Sequence, residues 1–248
     1  MKQVFGHNRP TIGPQSAHHT KRMLNGLLVI DKPKQWTSFD VVAKIRNKFN
    51  PKKIGHAGTL DPLATGVLVL CLGRATKMAD QLLTANKEYV GEITLGATSK
   101  TDDAEGEIVP NPNAAEIPLT EVENVLQSFV GTYPQMPPQF SAKKIDGQRA
   151  YKLARQGKEA KLEPATITVH QIELLDYKWP KIKLRVACGK GFYVRSLARD
   201  VGEKLKVGGY LSDLRRTRVG SYSLDSAVTV ENATENNLIP LYSASQVR

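Results

Sequence analysis

Six consecutive apolar residues, Val67-Leu68-Val69-Leu70-Cys71-Leu72, lie between Gly66 and Gly73. A run this short cannot span a bilayer. It has no polar face to turn to water, so it reads as a strand covered on both sides. Leu27-Leu28-Val29-Ile30 is a second run of the same kind. Between the two, Val41, Val42, Ile45 and Phe49 recur at helical spacing behind Thr37 and Ser38, either of which can cap a helix. Two buried strands with a helix between them require covering layers on both faces, and the rest of the chain has to supply these.

The supply is irregular. A Gly-rich loop over residues 55–66 precedes the second buried strand, and a helix from about Ala75 to Leu83 follows it. Tyr89, Gly91, Ile93 and Leu95 alternate as in a half-buried strand. Residues 99–118 are polar and read as a loop. Thr120 and Glu123 have capping-box spacing ahead of Val122, Val125, Leu126 and Phe129, with Gly131 as the stop. Over 133–157, Pro134, Pro137 and Pro138 should break any regular element. Lys143, Lys144, Arg149, Lys152 and Arg155 add charge there without an apolar stripe, which reads as a surface arm. Ile182, Leu184, Val186 and Cys188 alternate with largely basic neighbours. Val194, Leu197, Val201 and Leu205 form one face of a helix that Gly208-Gly209 ends. After Gly220 the pattern weakens. The expected fold class is α+β: one mixed, largely antiparallel sheet with flanking helices. Residues 1–23 are expected to be a basic mobile tail, and 24–248 one domain with an inserted arm at about 133–160.

The chain carries 35 Lys and Arg against 24 Asp and Glu, a formal net charge of +11. Such a surface attracts polyanions, because binding a phosphate backbone releases counterions. Charge alone does not separate RNA, DNA and acidic membrane. The cysteines, Cys71 and Cys188, both sit in apolar runs and are expected as free thiols in a reducing compartment. No secretory leader or bilayer-length apolar segment is visible, so a cytoplasmic location and no membrane partner are expected. No P-loop, dinucleotide fingerprint or metal-ligand spacing is present, so neither a cofactor nor a metal is expected.

The most informative stretch is Gly55-His56-Ala57-Gly58-Thr59-Leu60-Asp61-Pro62-Leu63-Ala64-Thr65-Gly66. It reads as a loop with one carboxylate, Asp61, at its apex, and Pro62 restricts the residue before it. An Asp-Pro pair by itself most often caps a turn. This run, continued through Gly73-Arg74-Ala75-Thr76-Lys77, resembles the signature of the TruB family of pseudouridine synthases. Further segments resemble that family in the same order: Gly26 to Pro33, Lys87-Glu88-Tyr89, Gly189 to Ser196 and Leu214-Arg215-Arg216. The resemblance covers about Gly26 to Gly220.

The resemblance implies a tRNA pseudouridine synthase of the stand-alone bacterial type. It would act on the uridine at position 55 of the T loop as a monomer, bound to the T arm of tRNA. It implies Asp61 as the catalytic carboxylate, with Tyr89 and Arg195 as its catalytic partners. His56, Tyr193 and Leu214 are implied as substrate-binding residues. A second acidic position of the family falls at Asp103, although a solvated acidic loop is the expected state of that residue. The arm resembles the family's RNA-clamping segment, with Phe140 where a tyrosine is expected. Many relatives add a C-terminal RNA-binding PUA domain, and none is expected here. Three rival readings remain: an RNA-binding module of the same fold, a guide-RNA-dependent relative, and a basic hydrolase. Intact Asp61, Tyr89 and Arg195 argue against the first, and the lack of a metal partner or second acid against the last.

Overall fold

The computed structural model describes residues 23–141 and 161–241, with the backbone of 144–145 and 148–149. Residues 1–22 of the expected tail, and Lys143, Lys152 and Arg155 of the expected arm, lie outside the described residues. Lys144 and Arg149 pair in a short hairpin, β8 (Lys144–Ile145) with β9 (Gln148–Arg149).

The architecture is α+β around a nine-stranded mixed sheet. The two apolar runs are β1 (Gly26–Lys32) and β3 (Thr65–Leu72), paired antiparallel along their whole length. Their alternate residues feed two cores. Leu28, Ile30, Leu68, Leu70 and Leu72 pack with the main cluster, while Leu27, Val29, Val67, Val69 and Cys71 form a smaller one on the other face. The main cluster takes Val41, Val42, Ile45 and Phe49 from α1 (Ser38–Phe49). Thr37 caps that helix in a reciprocal box with Asp40. The helix expected after β3 is a 3-10 turn, Gly73–Met78, leading into α2 (Ala79–Thr84).

β4 (Lys87–Leu95) alternates buried and half-buried residues as its sequence requires. The segment after it is not wholly loop, because β5 (Ala97–Ser99) and β6 (Ile108–Pro110) pair there. In α3 (Leu119–Gln127) the expected Thr120 cap does not form. The helix starts two residues earlier than that cap would set, with Pro118 at the cap position and its carbonyl accepting from the amides of Glu121 and Val122. Pro134 does not break regular structure. It lies in β7 (Gly131–Gln135), at one end of the strand order, where a missing donor costs least. β10 (Ala165–Lys178), β11 (Lys181–Cys188), α4 (Val194–Lys204), β12 (Gly209–Val219) and β13 (Tyr222–Ser223) complete the sheet and its cover.

The path runs β1-β3-β12-β4-β11-β10-β7, with β2 (Ile54–Ala57) also on β3. The β3–β12 ladder is parallel and the other ladders of this sheet are antiparallel. β1 occupies one edge of β3 throughout, so β2 and β12 share the other edge. β2 pairs with residues 69–72 and β12 with Thr65 and Gly66. The sheet therefore splits beside Val67 and Leu68, and the chain leaves β2 at Ala57 to form loop 58–64 at the split. Arg216 of β12 fills the gap, its Nε donating to the Val67 carbonyl at 2.7 Å. Gly66 makes the close approach possible. It has φ of +100°, and a Cβ there would lie 2.2 Å from the Arg216 carbonyl oxygen. Gly66→Ala is expected to cost at least about 2 kcal/mol, as a shifted midpoint in chemical denaturation.

Candidate active site

Asp61 sits on loop 58–64, which is pinned from several sides. The Leu60 amide donates to the buried Ser38 Oγ at 2.8 Å, and that hydroxyl donates to the Leu60 carbonyl at 3.2 Å. The Gln35 amide donates to the Pro62 carbonyl at 2.8 Å and the Ala64 amide to the Asp61 carbonyl at 3.1 Å. Leu60 and Leu63 are anchored in the main core. From the split, the Arg216 guanidinium donates to the carbonyls of Gly58 at 3.1 Å and Thr59 at 3.5 Å. A loop held this way presents its carboxylate at a fixed place, and the Asp61 side chain stays 40% exposed.

Opposite it stands Arg195, in the first turn of α4 and only 6% exposed. Its Nε lies 3.0 Å from Asp61 Oδ2. Nη1 donates to the Thr101 carbonyl at 3.1 Å and stands 3.5 Å from Asp103 Oδ2, and Nη2 donates to the Phe140 carbonyl at 3.1 Å. All three guanidinium nitrogens are thus committed, which fixes the orientation of the pair with Asp61. One turn along the helix, Arg199 holds Asp102 and Asp200 at 3.0 and 2.7 Å.

Asp103 departs from the expected solvated loop. Its side chain is 3% exposed, and its Oδ1 accepts from Thr101 Oγ1 and the Glu105 amide. The loop is drawn inward because the Leu211 amide donates to the Asp102 carbonyl and the Ala104 amide to that of Leu211. That path puts Asp102 at φ +61° and turns Asp103 towards Arg195. Burial, then the neighbouring Asp103 and Asp61 charges, push the Glu105 carboxyl above its usual range.

Asp61 and Arg195 line a cleft of about 280 Å³ with Tyr89, Tyr193, Leu214 and Arg216. Tyr89 on β4 is directly across the ladder from Arg216 on β12. Burial pushes the Tyr89 phenol up, and the Arg216 guanidinium opposes that shift. Tyr193 caps α4 and its backbone is held at both ends by the Gln135 amide, at 2.9 and 3.1 Å. Burial also raises the Tyr193 phenol. Leu214 closes one wall and belongs to the main core as well. The structure therefore gathers five of the six residues expected at the site. The sixth, His56, lies on β2 against Leu70 and is not in the cleft lining.

The sequence segments that resemble the family include three cations whose burial around the cleft was not anticipated. Lys32, at the end of β1, is fully buried and donates to the carbonyls of Pro33 and Trp36. Burial lowers its pKa to about 8, against the pull of Asp61. Lys87 donates to the carbonyls of Leu83 and Ala85, each at 2.6 Å, at the end of α2. Arg216 is the third, 1% exposed. Among the described residues no group of three or more His, Cys, Asp or Glu side chains is arranged to hold a metal. No helix there is long and apolar enough to cross a membrane.

Comparison with known proteins supplies an independent line. The family described as "TruB family pseudouridylate synthase (N terminal domain)" matches residues 46–194, and "tRNA pseudouridylate synthase B C-terminal domain" matches 195–239. The second match contains the central strand β12 of the one sheet and α4 from Arg195 onward. A protein of Phocaeicola vulgatus named tRNA pseudouridine synthase B is 48% identical over 215 residues, covering 84% of this chain and 92% of that protein. One of the same name from Syntrophotalea carbinolica is 47% identical over 208 residues, covering 84% and 68%. Among solved structures, a "Cbf5-Nop10-Gar1 Complex" superimposes with a TM-score of 0.67 at 32% identity, over 85% of this chain and 54% of that one. The chain spans about half the length of that protein.

Proposed function

The chain belongs to the TruB family of pseudouridylate synthases and isomerises uridine to pseudouridine in tRNA, and we propose that its target is uridine 55 of the T loop, with Asp61 as the catalytic carboxylate. The observation that carries the residue assignment is the 3.0 Å pair between Arg195 Nε and Asp61 Oδ2, in a cleft that also holds a buried phenol. Arg195 holds the carboxylate in a fixed orientation, and an anion is what attack at a sugar carbon needs.

The reaction moves one bond. The C1′–N1 bond breaks with its electron pair leaving on the base, while Asp61 supplies electron density to the sugar. The base then turns, and C5 bonds to C1′. The proton on C5 departs and N1 gains one, so the product has the atoms of the substrate. Tyr89 is the group for the C5 proton: a phenol can stack on the base and exchange a proton. Leu214 and Tyr193 hold the base from the sides. C1′ and C5 are shielded while the nucleotide is stacked, so it must first be extruded. His56 is assigned to the RNA outside the cleft, next to the Asp61 loop. The binding unit is residues 24–248 acting as a monomer on the T arm, with the part of the inserted arm that follows β7 closing on the RNA. A groove of about 650 Å³ beside β2, lined by Arg46, Lys52 and Lys53, offers charge for the phosphate backbone.

The target is tested with two unmodified transcripts, one carrying cytidine in place of the T-loop uridine. Pseudouridine is mapped by carbodiimide adducts and primer extension. Conversion at that position in the first and none anywhere in the second is expected. Conversion at another uridine of the second would contradict the assignment.

A further inference from the structure

The carboxylates at the cleft, Asp61 and Asp103, both face Arg195. The other two cations in its lining, Lys87 and Arg216, form no ion pair among the described residues. Their hydrogen-bonding partners are main-chain carbonyls and, for Arg216, the Tyr89 phenol. Arg216 donates to those of Gly58, Thr59 and Val67, and Lys87 to those of Leu82, Leu83 and Ala85. Lys32, close enough to Arg216 and Asp61 to feel their charges, has the same kind of support. Carbonyl dipoles solvate a cation without cancelling its charge, so its field reaches into the cleft. Burial removes most of the water that would screen it. A loop could be fixed by neutral donors at far lower desolvation cost, so cations at these positions point to a use for the charge.

We infer that Arg216 and Lys87 form a cationic floor that stabilises the negative charge appearing on the base as the C1′–N1 bond breaks. The inference rests on the isomerisation reading above and extends it to residues which that reading leaves without a role. The bound uracil is neutral, whereas the detached base carries the electron pair of the broken bond as an anion. The floor therefore favours the transition state over the ground state, which is the condition for a gain in rate. Arg216 also positions the Asp61 loop, so a simple loss of activity would not separate the two roles.

The separating probe is the base itself. A fluorine at C5 withdraws electrons and makes the detached anion intrinsically more stable, so cleavage depends less on an external positive charge. Two full-length tRNA transcripts, with uridine and with 5-fluorouridine, are compared in single-turnover assays of C-nucleoside formation. Arg216→Gln and Lys87→Met are compared with wild type and with Arg216→Lys. For Arg216→Gln, a loss of about a hundredfold is expected on uridine, several times smaller on the fluorinated transcript, with tRNA affinity little changed. Lys87→Met should show the same inequality at smaller size, and Arg216→Lys should restore part of the rate. Lys87→Met leaves the Asp61 loop contacts intact, so it tests the charge even where Arg216→Gln fails to fold. Equal losses on the two transcripts in Lys87→Met would overturn the cationic floor. No conversion of uridine by the wild type would instead overturn the reaction itself.

Discussion

Asp61→Asn is expected to lower single-turnover conversion by about 10⁴-fold or more, with tRNA affinity retained or slightly raised. The substitution keeps the shape of the side chain and leaves an oxygen to accept from Arg195 Nε at the observed 3.0 Å. The loop therefore stays where Ser38, Gln35 and Arg216 hold it. What is lost is the anion, and a neutral amide neither attacks a sugar carbon nor offsets charge developing there. Removal of a group on which the whole step depends costs several orders of magnitude, because the remaining residues have nothing to assist. Affinity should hold because the cleft walls proposed to hold the base, Tyr193 and Leu214, are untouched and one negative charge facing a polyanion is gone. The pair with Arg195 is partly exposed on the Asp61 side, so stability should change by no more than about 1 kcal/mol. Single-turnover assays, filter binding and thermal unfolding read the three quantities. Lost affinity in step with lost rate would make Asp61 a binding residue.

Arg195→Met is expected to damage both stability and rate. The guanidinium is 6% exposed and joins Asp61, the 3% exposed Asp103 and the carbonyls of Thr101 and Phe140. Its removal leaves Asp103 as a buried charge without its cation, a change worth about 3–5 kcal/mol. Asp61 loses the contact that orients it, and a rate loss of about 10³-fold or more is expected in protein that remains folded. Arg195→Lys should rescue little, since one ammonium on a flexible stem cannot reach three directions at once. Denaturation midpoints and single-turnover rates at a temperature where the variant is folded separate the effects. A variant with full stability would mean that Asp103 does not depend on this cation.

Much of the fold and most of the site were legible in the chain. Val67–Leu72 and Leu27–Ile30 had to be buried strands, since no other element hides a continuous apolar run this short. The spacing of Val41, Val42, Ile45 and Phe49 located α1 together with its Thr37 cap. β12 was not legible as a strand. Ser212, Asp213, Arg215, Arg216 and Arg218 mask its alternation, and register shifts at Leu211/Asp213 and Arg216/Arg218 interrupt the period. β10 is obscured in the same way by two shifts. The motif containing Asp61 marked the carboxylate, but the reason the loop stands out lies in long-range pairing: two strands share one edge of β3 and leave a split. The buried states of Asp103, Lys32, Lys87 and Arg216 were hidden for the same reason. Each is polar in sequence, and only partners distant along the chain make burial tolerable. Arg195, 92 positions beyond Asp103 in the numbering, is the clearest case.

The most direct test of the central claim follows the hydrogen that the reaction must expel. Unmodified tRNA transcript tritiated at C5 of its uridines is incubated with the full-length protein in buffer with no added cofactor, with Asp61→Asn alongside. Stoichiometric release of a single equivalent of tritium per tRNA by the wild type, and none by the variant, is expected of a C5 isomerisation driven by Asp61. Tight tRNA binding by both proteins with no tritium released by either would contradict it, and would leave an RNA-binding protein with this fold.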